Sequence, residues 1–239
     1  MNEIFERTAM LFGADAVESL EKKRVIGFGV GGVGGYVCEA LCRSGIGTIG
    51  IVDNDSVSKS NINRQIIATM STVGRPKTSV MADRLHDINP GVKVICHNMF
   101  YLPENADLID LSAYDYVVDA IDTVSAKIEI IERAIKSGVP VISSMGTGNK
   151  TDPSKLRIAD ISKTNTCPLA KVMRHELKTR GINHLKVVFS DEPPITPKFC
   201  ASDTGKRAPA SSAFVPPTAG LLIARQIVVD FVSDFQNSI

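Results

Sequence analysis

The sequence predicts a doubly wound α/β fold, a Rossmann-like and mostly parallel sheet with a C-terminal extension of further strands and helices. Three observations predict it. Short apolar β-type runs alternate with longer amphipathic segments, the connections between them are tight, and a glycine cluster separates the first strand from the first helix. The 239 residues, 44% hydrophobic and 22% charged, are enough to bury the core of one α/β domain or two small ones.

Residues 24–29 read as the first strand and residues 33–43 as the helix that follows the glycines. A second strand, 48–52, closes at Asp53, making a β-α-β unit of the kind that builds parallel sheets covered by helices. A helix over 75–88, strands over 92–97 and 116–120, a helix over 124–137 and a strand over 139–143 continue the alternation. After Thr151 the rhythm changes to a strand at 156–160, an amphipathic helix at 169–180 and a strand at 185–189. A long stretch with Pro193, Pro194 and Pro197 then runs over 191–209, the length of a functional or mobile loop. An apolar helix over 219–235, begun after Pro216 and Pro217, closes the chain.

Lys and Arg number 27 against 26 Asp and Glu, so the net charge of +1 calls for no nucleic acid, membrane or acidic partner, and any such partner must be recognised locally. Residues 1–8 carry Glu3, Glu6 and Arg7 and lack the apolar core of a signal peptide. The apolar run 219–232 is interrupted by Arg225, Gln226 and Asp230 and falls short of the ~20 residues a bilayer span needs. A cytoplasmic protein without a membrane partner is the expectation. Five cysteines with no C-x-x-C pair fit reduced thiols, and neither a disulfide framework nor a four-thiolate zinc site is expected.

The cluster Gly27-Phe28-Gly29-Val30-Gly31-Gly32-Val33-Gly34-Gly35 holds G-x-G-x-x-G in more than one frame. Glycines let a backbone turn sharply and approach a phosphate at a helix N-terminus, and Asp53 at the next strand end stands where a carboxylate would accept from a ribose. To this point a nicotinamide-dependent dehydrogenase fits equally well. The next segment separates the readings: Asp53-Asn54-Asp55, then Ser60-Asn61-Ile62-Asn63-Arg64-Gln65, then Gly74-Arg75-Pro76-Lys77. A guanidinium and an ammonium brought to one nucleotide suit a polyphosphate. Asp122, following the strand 116–120, falls at the carboxyl edge of the sheet, where a carboxylate can hold Mg²⁺ on the phosphates. Each residue has an ordinary alternative: Arg64 in a surface ion pair, Lys77 on a solvated helix face, Asp122 capping the helix after it. Their joint occurrence at successive strand ends favours the nucleotide site.

The run from Val25 to Asp122 resembles the nucleotide domain of the ubiquitin-activating-enzyme-like superfamily, which includes the ThiF and MoeB adenylyltransferases. Within it the chain is most similar to the tRNA threonylcarbamoyladenosine dehydratases, through Asn61-Ile62-Asn63-Arg64-Gln65, Ile88-Asn89-Pro90, Asp119-Ala120-Ile121-Asp122 and the Asp152-Pro153 corner. The sulfur-carrier activators usually show Gln at the position of Asn63 and Asn at that of Thr123, and many carry paired C-x-x-C zinc ligands absent here. The resemblance implies one ThiF-type domain over 1–239, with a nucleotide core at 20–145 and a substrate and dimer portion at 146–239 holding a crossover loop near 190–210. It implies ATP and Mg²⁺ with no zinc, a nucleotide site of Gly29, Gly31, Gly32, Gly34, Asp53, Asp55, Ser60, Asn61, Arg64 and Lys77, and Asp122 as the magnesium ligand. Arg64, Lys77 and Asp122 are the implied catalytic set. Arg7 falls where family members offer an arginine to the opposite subunit, which implies a homodimer.

The implied reaction is attack of a carboxylate on the α-phosphate of ATP, followed, in a dehydratase acting on tRNA, by capture of the acyl-adenylate by a nitrogen of the same side chain. An intramolecular nucleophile reaches effective molarities of roughly 10⁵ M, so no cysteine is required. Cys167 and Cys200 are candidate nucleophiles without a partner histidine, and Cys38 and Cys42 read as core residues. Between Lys163 and Arg207, nine Lys and Arg face four Asp and Glu. In the helix 169–180, Lys171, Arg174, His175 and Lys178 share one face, suited to RNA phosphates, opposite Leu169, Val172, Met173 and Leu177. Two other functions remain open: adenylation of a sulfur-carrier protein with a Gly-Gly tail, with a sulfur-transfer or carrier partner, and a non-catalytic nucleotide-binding scaffold.

Overall fold

A computed structural model describes residues 2–199 and 209–237, side chains of 235–237 excepted. Cys200 and the 200–208 part of the expected loop lie outside the described residues. Seven strands form one sheet: β1 (Arg24–Phe28), β2 (Thr48–Val52), β3 (Lys93–His97), β4 (Tyr116–Asp119), β5 (Val141–Ser144), β6 (Leu156–Asp160) and β7 (Lys186–Ser190). Their order is β3-β2-β1-β4-β5-β7-β6, parallel throughout except for β6, which runs antiparallel to β7. The chain therefore winds outward from β1 to β3, then returns to β4 on the other side of β1. That reversal opens a crevice at the carboxyl ends of β1 and β4.

The period-2 alternation of the central strands divides the interior into two layers. Val25, Tyr116, Val118, Ile142 and Val188 face one core, and Ile26, Val117, Val141, Val187 and Phe189 the other. The first core is covered by helices α2 (Ala14–Glu21), α3 (Gly34–Arg43), α4 (Lys77–Ile88) and α7 (Val215–Asn237), the second by α5 (Val124–Lys136) and α6 (Pro168–Thr179). Cys38 and Cys42 lie in the first core, as expected, and burial pushes the Cys38 thiol up to about 12. Helix α1 (Glu6–Phe12) and α2 have no counterpart in the sequence-based reading.

Helix α7 begins at Val215, four residues before the expected start, because Pro216 and Pro217 occupy its first turn, where proline needs no amide donor. By length and composition Val215–Asp234 is apolar enough to cross a bilayer, which corrects the expectation of too short a run. Packing accounts for its apolarity: Val215, Ala219, Ile223, Ile227 and Phe231 are buried in the first core. Asp230, which interrupts the run, accepts from Lys186 Nζ (2.6 Å), Gln226 Nε2 (2.7 Å) and the Tyr116 hydroxyl (2.9 Å).

One glycine of the cluster is a packing residue. A Cβ on Gly34 would lie 1.8 Å from the Gly29 carbonyl oxygen and 3.3 Å from Ala120 Cβ, so β1 and α3 cross too closely for any side chain. Gly34→Ala is therefore expected to lower the melting temperature or prevent folding, by more than the ~1–3 kcal/mol usual for overpacking, because the clash is with backbone. A thermal melt of the variant checks this.

Candidate active site

Loops after β1, β2, β4 and β5 enclose a cleft of about 870 Å³ at the crevice between β1 and β4. Gly29 opens it. Its φ of +90° is a glycine conformation, and a Cβ there would sit 2.8 Å from the Ala120 carbonyl oxygen, so only a bare backbone lets the two strand ends converge. Gly31, Gly32 and Val33 line the cleft beyond it. Helix α3 then starts without a side-chain cap, which leaves the positive end of its dipole for an anion. On another side Phe28, Met99, Tyr101 and Ala126 form an apolar wall, with the Phe28 and Tyr101 rings edge to face at 4.7 Å. A planar base fits such a wall.

Asp53 organises the floor. Its Oδ2 accepts from Val30 N (2.7 Å) in the glycine loop and its Oδ1 from Asp55 N (2.8 Å), so the carboxylate shapes the loop and keeps only its remaining lone pairs for a ribose. The chain then doubles back. Val57 N donates to Arg75 O and Lys77 N to Asp55 O, both at 2.9 Å, which delivers Lys77 to the cleft at the first turn of α4. The Lys77 side chain is only 6% exposed, and its Nζ donates to Asp55 Oδ2 at 2.6 Å with Asp53 Oδ1 at 3.9 Å. This is a held cation, which corrects the alternative of a solvated helix residue.

Arg64 reaches the cleft from the turn after the 3₁₀ helix Lys59–Asn61. One guanidinium nitrogen donates to Ser60 O (3.0 Å) and Asn63 Oδ1 (2.9 Å), and among the described residues Arg64 makes no ion pair. Its charge faces a cleft already holding Lys77. Asn61 lines the cleft too, its Oδ1 accepting from Ser58 N. Ser60, also expected in the set, is exposed and absent from the cleft lining; its hydroxyl bonds Ser58 Oγ (2.9 Å) and its carbonyl accepts from Arg64. Asp122 is exposed on the cleft wall, and no hydrogen bond or ion pair engages it among the described residues. Thr123 is the N-cap residue of α5, without a side-chain cap bond, so Asp122 does not serve as the helix cap.

The whole chain has known relatives. A model of the ThiF family matches residues 5–228. The chain belongs to the ThiF family. A tRNA threonylcarbamoyladenosine dehydratase of Bacillus subtilis is 44% identical over 97% of this chain and 96% of its own length. The crystal structure of the Escherichia coli enzyme of that name, TcdA, in complex with ATP superposes with a TM-score of 0.89 at 32% identity, covering 98% of this chain and 96% of that one. A Mycobacterium tuberculosis protein named as a probable adenylyltransferase/sulfurtransferase, MoeZ, is 36% identical over 54% of this chain and 33% of its own length.

Within this ThiF-family cleft the structure brings together Gly29, Gly31, Gly32, Asp53, Asp55, Asn61, Arg64, Lys77 and Asp122 of the expected residues. Gly34 and Ser60 support it from outside, and Arg7 is exposed on α1 and does not line the cleft of its own chain. Four features escaped the sequence-based reading. Gln65 Oε1 and the Tyr101 hydroxyl are buried atoms of cleft residues with no hydrogen-bond partner among the described residues, a pattern that marks a ligand site. Beneath Asp122, Lys127 and Asp119 form a fully buried ion pair at 2.8 Å, with Lys127 also donating to Ser144 O (2.8 Å) and Ile121 O (3.2 Å). The lining of the ThiF-family cleft also includes a buried Lys150 and a buried Cys167, which precedes Pro168 at the start of α6. The expected basic face of α6 is smaller than predicted: Arg174 donates to Thr164 O (2.9 Å) and Thr164 Oγ1 (2.5 Å), while Val172 is exposed beside Lys171, His175 and Lys178.

Proposed function

We propose that this chain is a cytoplasmic, ATP-dependent tRNA threonylcarbamoyladenosine dehydratase. The observation that carries the proposal is the convergence of Arg64, Lys77 and Asp122 on one cleft, in a chain that follows the Bacillus subtilis dehydratase from end to end. A carboxylate oxygen of the threonyl group attacks the α-phosphorus of ATP, the bond to the bridging oxygen breaks, and pyrophosphate leaves. Arg64 and Lys77 hold the phosphates and offset the charge that develops on them, acting by position and electrostatics. A nitrogen of the same side chain then attacks the activated carbon and AMP leaves, for a net loss of water.

The residues present fit Mg²⁺. Asp122 offers an unengaged carboxylate, and Mg²⁺ commonly takes one or two carboxylates and completes its shell with phosphates and water. Among the described residues no cluster of three or more His, Cys, Asp or Glu forms a protein cage. Asp122 would hold the ion, which when bound neutralises phosphate charge.

Residues 146–239 supply the substrate and dimer contacts in this proposal, with Lys171, His175 and Lys178 exposed towards RNA phosphates. Arg7 acts on the cleft of a second copy, and the neighbouring Met10 and Leu11, 82% and 75% exposed, support a covered face there. The test is mass spectrometry of nucleosides from tRNA incubated with the chain, ATP and Mg²⁺. Conversion by the parent and at least a ~10²-fold loss in Asp122→Ala are expected, the scale of one lost electrostatic stabiliser. ATP binding without conversion overturns the proposal. Pyrophosphate exchange stimulated by a Gly-Gly carrier protein and not by tRNA points to the sulfur-carrier reading instead.

A further inference from the structure

Lys150 is 3% exposed, yet it lines the cleft with Arg64, Lys77 and Asp122. Among the described residues its Nζ has a single hydrogen-bond partner, Ser190 O at the end of β7, at 3.3 Å. A buried ammonium carries three donors and seeks three acceptors, whereas a neutral amine needs one acceptor less and offers a lone pair. Burial, the larger effect, holds this amine below the ordinary lysine range, against the opposing pull of Cys167 from the start of α6 and of Glu192 and Asp191 from the segment after β7.

The backbone on both sides of Lys150 is pinned. Asn149 is held at φ +59°, a conformation uncommon outside glycine; its N–H donates to Ala210 O (2.7 Å), its carbonyl accepts from Ile195 N (2.7 Å) and its Oδ1 accepts from Ala210 N (2.8 Å). On the other side the Glu192 carboxylate accepts from Thr151 N, Thr151 Oγ1 and Asp152 N, at 2.9 to 3.0 Å. Strain and six hydrogen bonds thus fix the backbone on both sides of a buried lysine that lines the same cleft as Arg64 and Lys77. No histidine lines the cleft among the described residues, and of its carboxylates Asp53 is engaged by Val30 N and Asp55 N, Asp55 by Lys77 Nζ, and Asp122 is the proposed magnesium ligand.

We propose that Lys150 is the base of the ring-closing step, taking the proton of the substrate nitrogen as that nitrogen attacks the activated carboxyl carbon. This rests on the carboxylate-activating function proposed above. The C–N bond forms, the bond from that carbon to the adenylate oxygen breaks, AMP leaves with the electron pair, and the nitrogen's proton passes to Nζ. The resulting ammonium gives its proton to solvent once product leaves.

The experiment separates the two half-reactions: ATP–pyrophosphate exchange dependent on threonylcarbamoyl-tRNA reports adenylation, and mass spectrometry of the nucleoside reports ring closure. Lys150→Gln keeps a donor for Ser190 O and Lys150→Arg keeps the charge, but neither accepts a proton near neutral pH. Both are expected to retain exchange and to slow ring closure on the order of 10²-fold, the usual contribution of a positioned base. Single-turnover ring closure by the parent is expected to rise with pH along a limb that is absent in Lys150→Gln. Parent-like ring closure in Lys150→Arg overturns the proposal in favour of a purely electrostatic role. A pH limb that persists in Lys150→Gln overturns it as well, as does exchange lost along with ring closure, or a thioester trapped on Cys167. A parent chain that converts no tRNA overturns the underlying function and this proposal with it; conversion by the parent with unchanged variants overturns this proposal alone.

Discussion

A chain carrying Lys77→Met is expected to exchange pyrophosphate into ATP about 10²–10³-fold more slowly than the parent, and Arg64→Ala is expected to do the same. The magnitude follows from charge. Two unit charges 4 Å apart attract by about 4 kcal/mol at the effective dielectric of a partly buried site, and each 1.36 kcal/mol of barrier is about tenfold in rate. Lys77 is positioned for that role by the strand-like return of residues 55–57 against 75–77, and Arg64 by Ser60 O and Asn63 Oδ1. The loss should be catalytic rather than structural. Asp55, the near partner of Lys77, is 59% exposed, and an ion pair open to solvent on one side contributes little to stability. Paired melts and exchange assays check this: a variant that melts like the parent and also exchanges like it removes these cations from the chemistry. Because both cations act on one phosphate chain, the double variant should lose less than the product of the two single losses.

Lys127→Met is expected to cost about 3–5 kcal/mol of stability, since it leaves Asp119 as an uncompensated charge in the interior. For a chain of this size that lowers the melting temperature by roughly 6–20 °C. Both side chains are fully buried. The three donors of the Lys127 ammonium meet Asp119 Oδ2, Ile121 O and Ser144 O, and the Ser143 hydroxyl donates to the same Asp119 oxygen at 2.5 Å. Two of these contacts hold the turn that presents Asp122, so exchange activity should fall in the same variant. The double variant Asp119→Asn, Lys127→Met removes both charges and should recover part of the lost stability, since replacing a whole buried pair costs less than breaking one. A single variant that melts with the parent would mean that solvent or a rearranged side chain reaches Asp119.

The elements that bear the nucleotide site lie within two residues of their expected positions, since each is announced locally by apolar period, glycine or proline. α1 and α2 were not announced. They are 7 and 8 residues long, meet at Gly13, and are too short to be stable without the rest of the chain. Buried charge was illegible for a different reason. Lysine in a helix or a loop is read as solvated because it nearly always is, and nothing in Ser125-Ala126-Lys127 or Gly148-Asn149-Lys150 marks the exceptions. Arg174 has the same cause: helical spacing predicts the outer face, but the Ile161–Thr164 turn lies within its reach.

The amino-acid sequence alone determined the alternation of strands and helices, the glycine loop and the presence of phosphate-matching cations, because periodicity and backbone chemistry act over a few neighbouring residues. Which charges meet was decided only in three dimensions. Lys127 reaches Ser144 as well as Asp119, and Lys150 reaches Ser190 across forty residues of chain, because β4 lies beside β5 and β5 beside β7. Strand order is a property of the whole packed sheet, and the burial of a lysine, with the partners that it meets there, follows from that packing.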